Sequence, residues 1–194
     1  PKNNDEINIP KNNDEINITI IGGNNDYNIN ILKKIKSKNK IILNIISRYV
    51  SIDKTILNNF YSINIYEKIS TKEILKILEK TDYVLTDITY NEDHIYGHSM
   101  SGAIPLAFST LVPLIISKQN NKLYKFKNVI EFDIIYDKYI IIEKNIINLL
   151  DLKKERNKLI NMFDNIMKNY CQNININIDS YLYISIIYYG RRSI

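Results

Sequence analysis

Apolar residues fall into short runs along this chain, separated by segments in which they recur at helical spacing. Ile18, Ile20 and Ile21 form a β-branched run that ends at Gly22-Gly23, the pattern of a buried strand followed by a turn. Residues 30–38 carry Ile31, Leu32 and Ile35 with lysines opposite, which predicts an amphipathic helix. A second strand is predicted over 41–46 and a helix over 51–60, where Ile52, Ile56, Leu57 and Phe60 share a face. Residues 63–66 give a third strand. Ser70-Thr71-Lys72-Glu73 has the form of a capping box, with Ser70 as N-cap and Glu73 at the third helical position, so a helix should run on to Lys80. A fourth strand over 82–87 leads into a polar loop to residue 98, a helix over 99–110, a fifth strand over 113–117 and a sixth over 128–132. Strands alternating with helices of this length imply βαβ units and a parallel sheet. The strands are near-continuous in apolar residues, as a sheet covered on both faces requires. The expected class is therefore α/β, with a parallel sheet of about six strands flanked by helices.

Beyond residue 132 the pattern changes. Residues 134–142 are apolar with Asp137 and Lys138 inside them, and 143–168 reads as one or two amphipathic helices. Residues 174–189 alternate as a strand or an extended tail. At the other end, PKNNDEINI occurs twice in succession, over 1–9 and 10–18. A duplicated polar stretch has little to bury and reads as a flexible linker over 1–15. The domain proper then spans 16–168, with a C-terminal tail over 169–194 packed on it. The first residue is Pro1, which points to a cleavage product or a piece of a longer polypeptide.

Composition narrows the classes. The chain has 194 residues, of which 45% are hydrophobic and 24% charged, and a net charge of +5. That length suffices for a genuine core. Asn, Ile and Lys are abundant, the signature of an AT-rich source such as a large DNA virus. Cys171 is the lone cysteine, so no internal disulfide forms and a reducing, cytoplasmic compartment is expected. No apolar run reaches transmembrane length. The lysines are dispersed among acids, as at Lys33, Lys34, Lys36, Lys38 and Lys40, and form no basic stripe with interleaved aromatics, which argues against a nucleic-acid partner.

In an open parallel sheet, ligands bind outside the carboxyl ends of the strands. Three loops matter on that rule: 22–28, 86–99 and 117–128. Gly22 and Gly23 let the backbone approach a phosphate closely, although neither a GxGxxG nor a P-loop pattern follows; a plain tight turn explains them equally well. In the second loop, His98-Ser99-Met100-Ser101-Gly102-Ala103-Ile104-Pro105 opens a helix with small residues. Ser99 or Ser101 can cap it, and Pro105 suits only its first turn. Such a helix start favours an anion, or is simply a tightly packed element. His94 and His98 stand four apart beside Glu92 and Asp93, but Gly97 interrupts any helix there and two nitrogens make a poor zinc site; no metal is expected. No Asp-x-Asp triplet occurs, and Glu131-Phe132-Asp133 reads as a strand end.

The order strand, GG turn, helix, then DYVLTDITYN, then SMSGAIPLAFSTLVPLII resembles the C-terminal, Rossmann-like domain of GT-B glycosyltransferases over residues 16–133, most specifically over 99–116. The resemblance implies a metal-independent transferase domain that holds a nucleotide-diphosphate sugar as substrate, without a separate cofactor, and passes the sugar to a glycan or protein acceptor. It implies diphosphate contacts from Gly22, Gly23, Ser99, Ser101, Gly102 and Ala103, with Arg48, Lys68, His98 and Lys118 as phosphate or base contacts. The E-x7-E pattern of better-known members is absent, since residues 99–107 hold no acid. The N-terminal acceptor domain of such enzymes, as a separate domain or a partner chain, is expected to supply the catalytic base. The alternatives are a non-catalytic interaction or regulatory protein on the same fold, and a different Rossmann-like nucleotide binder.

Overall fold

The computed structural model describes residues 14–22, 29–50, 52, 57–86, 102–144 and 147–173. Its centre is a six-stranded sheet of β1 (Glu15–Ile21), β3 (Lys40–Ser47), β4 (Ser62–Glu67), β5 (Tyr83–Leu85), β6 (Leu114–Ser117) and β7 (Val129–Phe132). All neighbours run parallel, in the order β4-β3-β1-β5-β6-β7. Counting these six in chain order gives 3-2-1-4-5-6, the doubly wound arrangement of a Rossmann-like domain. The chain builds outward from β1 to β4, then crosses back over β1 and builds outward on the other side.

One face of the sheet is almost wholly aliphatic. Ile16, Ile18 and Ile20 of β1 stand beside Ile41, Leu43 and Ile45 of β3, and Ile18 and Ile20 also face Tyr83 and Leu85 of β5. All are buried, each contributing roughly 1.5–3 kcal/mol from removal of its side chain from water. Helix α1 (Ile29–Lys34) covers this face with Ile31 and Leu32, together with Leu57 and Phe60. The opposite face carries Thr19, Asn44, Ile46, Val84, Leu114 and Ile116. Right-handed crossovers put α2 (Thr71–Leu78) and α3 (Ala103–Thr110) on that side. The Thr19 and Thr81 hydroxyls, 2.6 Å apart, join β1 to the end of α2, and Thr81 donates onward to the Ile77 carbonyl at 2.9 Å. Asn64 Nδ2 donates to Asn44 Oδ1 at 3.0 Å across β3 and β4. Buried hydroxyls and amides need such partners, because an unpaired one costs about 1–3 kcal/mol.

Several elements differ from what the sequence pattern predicts. Helix α1 ends at Lys34, and the residues that follow form β2 (Ile35–Lys36), paired parallel with β8 (Ile140–Ile141) in a separate small sheet. The Asn59 side chain donates to the Leu32 and Ile35 carbonyls at 2.8 and 3.0 Å, holding the helix end against that strand. Of the helix expected over 51–60, the described end at 57–60 is a turn, closed by Phe60 N–H on the Leu57 carbonyl. The loop expected over 117–128 contains helix α4 (Lys118–Tyr124), which starts directly from β6. The 134–142 segment folds back through a turn, in which Lys34 Nζ donates to the Ile134 carbonyl, before β8. Tyr83 Oη donates to the Glu143 carbonyl and Lys144 Nζ to the Glu15 carbonyl, bringing the returning chain under the aliphatic face. A single helix α5 (Leu149–Asn173) follows. The chain divides into two compact units between Leu152 and Lys153. Among the described residues, no helix is long and apolar enough to cross a membrane.

Candidate functional site

The strand order reverses between β1 and β5, and it is outside the carboxyl ends of the strands at such a reversal that doubly wound folds bind ligands in a crevice. On one side, β1 ends at Ile21 and Gly22 donates its N–H to the Ile46 carbonyl at 2.8 Å, extending the ladder by one residue. Gly22 then turns the chain away with φ +87°, a conformation that L side chains rarely adopt. A Cβ at this position would meet nothing within 4 Å, so backbone conformation alone calls for the glycine. On the other side, β5 ends at Leu85. The buried Thr86 donates both its N–H and its hydroxyl to the Ile115 carbonyl, at 3.0 and 3.2 Å, which fixes the exit of β5 against β6.

Helix α3 opens with Gly102 as its N-cap, without a side-chain capping bond. Gly102 is exposed, with helical φ −60°, and open space surrounds its Cβ position. Neither strain nor crowding within the described residues demands glycine there. Ala103 is buried at the first helical position, and Pro105 stands within the first turn as its missing N–H permits. Gly23, His98, Ser99 and Ser101 lie outside the described residues, as do His94 and the tail over 174–194.

The three cationic candidates all sit at the carboxyl edge, but not together. Arg48 directly follows β3 and is exposed. Lys68 directly follows β4, one strand further out; its N–H donates to the Ser47 carbonyl at 3.1 Å. Lys68 is held at φ +54° with Nζ 4.5 Å above the centre of the Tyr49 ring. The neighbouring Glu67 carboxylate accepts from Val50 N–H at 2.7 Å, so the ends of β3 and β4 are tied into one corner. Lys118 opens α4 on the far side of the crevice, three strand spacings or roughly 14 Å from Arg48. Ser117 caps that helix, accepting from Asn120 N–H at 3.2 Å. Beyond it, Asp133 follows β7 as a strand end. Hydrogen bonds from the Tyr136 and Ile135 backbones hold its carboxyl below the usual range, and the side chain of Gln119 and the charge of Lys118 add to this. Lys118 thus has a carboxylate in its surroundings.

The chain matches no family model, no curated protein and no solved structure. Its site is read from geometry. Among the described residues, no group of three or more His, Cys, Asp or Glu side chains is placed to hold a metal ion. Tyr49 carries a signal that the sequence reading does not use, an aromatic residue next to a basic one just past a strand. Thr86 opens the loop singled out over 86–99, and only the β5–β6 pairing shows that it ties the end of β5 to Ile115.

Proposed function

We propose that this chain binds the diphosphate of a nucleotide sugar across the crevice between β1 and β5, as the donor-binding half of a GT-B-like glycosyltransferase. One observation carries the reading: the strand order reverses between β1 and β5, the place outside whose carboxyl ends doubly wound folds bind ligands, and Gly22 makes its turn at that end of β1. The start of α3 offers backbone donors and the positive end of a helix dipole. Arg48 and Lys68 supply positive charge on one flank and Lys118 on the other. Chemically this set stabilises the charge that develops on a departing diphosphate, with no protein nucleophile required. A base and an acceptor site come from a separate domain or partner chain, and the lone Cys171 fits work in a reducing cytoplasm.

Thermal unfolding of the chain with UDP-, GDP- and dTDP-sugars, and with NAD and free nucleotides as controls, tests the reading. A ligand at about 100 times its dissociation constant stabilises the fold by roughly 2.7 kcal/mol, a shift in Tm of several degrees. Stabilisation by nucleotide sugars supports the donor site. A shift with NAD alone would move the protein to another class of nucleotide binder, and no shift with any ligand counts against the crevice as a nucleotide site.

A second reading, an interaction protein, is favoured by one separate observation. Ile135, Tyr136, Tyr139 and Ile141 are all more than half exposed within a seven-residue stretch beyond β7. A stable complex with another polypeptide that is lost in Tyr136→Ser, together with no nucleotide-dependent shift, supports that reading over the first.

A further inference from the structure

The corner formed by the ends of β3 and β4 has a chemistry of its own. In the doubly wound arrangement, the nucleoside end of a ligand lying across the crevice falls beside the end of the second sheet strand, here β3. Many such sites carry an acid at that point to accept from the ribose. This chain instead continues Ser47-Arg48-Tyr49. Tyr49 is 56% exposed and presents a ring on which a base can stack. Lys68, in the left-handed conformation, holds its ammonium group against that ring. Arg48 and Lys68 are donors only, whereas the Glu67 carboxylate, oriented by Val50 N–H, is an acceptor.

Donors and an acceptor carried on one corner select among bases. We propose that the Arg48–Tyr49–Glu67–Lys68 corner is a nucleobase subsite for guanine, an inference that rests on the crevice holding a nucleotide. Guanine offers the adjacent acceptors O6 and N7 to an arginine or lysine, and its N1–H and amino group to a carboxylate. The ring of Tyr49 stacks on the base. Adenine places an amino group where guanine has O6, which sets donor against donor and leaves desolvated groups unpaired. Pyrimidines lack the N7 acceptor and half the stacking surface.

Titration calorimetry of the whole chain with GDP, ADP and UDP, repeated on Arg48→Ala and Tyr49→Leu, decides the matter. Arg48 and Tyr49 are exposed past the strand end, and circular dichroism checks that each variant folds. The expected result is GDP bound about tenfold or more tightly than ADP. Arg48→Ala should weaken GDP about tenfold more than ADP, bringing the two affinities close, and Tyr49→Leu should weaken all three. Equal affinity for GDP and ADP, or an Arg48→Ala loss that is the same for both, overturns the guanine subsite while leaving nucleotide binding intact. Failure of every nucleotide to bind overturns the crevice reading and this inference with it.

Discussion

Gly22 directly follows β1 and Gly102 is the N-cap of α3, yet the backbone asks different things of them. Gly22 sits at φ +87° with no neighbour near its Cβ position, so the conformation itself excludes other residues. Gly22→Val should therefore cost about 1–3 kcal/mol, read as a fall in the urea midpoint. Gly102 has a helical φ and open space, and the fold can accept a side chain there at less than about 1 kcal/mol. Gly102→Leu should leave the urea midpoint nearly unchanged and weaken nucleotide binding by covering the start of α3. Unaltered affinity in that variant would count heavily against the α3 start as the diphosphate contact. At this scale the sequence showed both glycines and could not separate their roles, because φ is set by the pairing of Gly22 with Ile46 on a strand 24 positions away.

At the scale of elements, legibility followed the range of the forces involved. The capping box of α2 was readable because its partners are three residues apart. Glu73 N–H donates to Ser70 Oγ, and the Glu73 carboxylate accepts from Ser70 N–H at 2.8 Å and from its hydroxyl at 2.7 Å. Those bonds hold the Glu73 carboxyl below its ordinary value of 4.5, with Lys76 assisting. Because the folded state binds this proton more weakly than the unfolded state, the contribution is present above pH 4.5 and lost as pH falls through the lowered value. Thermal unfolding across pH 3–6 should show a loss on acidification that is smaller in Glu73→Gln, which keeps the capping geometry without the titration. Equal acid sensitivity in the two proteins would remove the capping box as its source. Helix α4, by contrast, was not legible. KQNNKLY has no apolar periodicity, and the helix depends on its setting. Ser117 caps it from the end of β6, and Asn121 pins its exit through Phe126 N–H, the Phe126 carbonyl and Glu131. Helix α1 was predicted four residues too long for a similar reason: Ile35 and Lys36 keep helical periodicity but are claimed by pairing with β8, more than 100 positions on.

Across the whole molecule, β1 and β3 form the longest ladder, seven residues in register, with further strands on both sides. Native-state hydrogen exchange should find the amides of β1 and β3 the slowest to exchange, opening only with global unfolding, and those of β7 at the sheet edge faster. Comparable protection at β7 would mean that the sheet opens as one unit. The alternation of strands and helices, the aliphatic face of the sheet and the α/β class were all determined by the sequence, since burying Ile, Leu and Val at periods of two and 3.6 leaves few other solutions. The Gly22 turn was visible in the same way. Only the tertiary structure decided which strands are neighbours, and hence that the order reverses between β1 and β5 and that Arg48, Tyr49, Glu67 and Lys68 share a corner apart from Lys118. Those juxtapositions come from crossover direction and strand register, interactions between residues tens of positions apart, which no local pattern of polar and apolar side chains encodes.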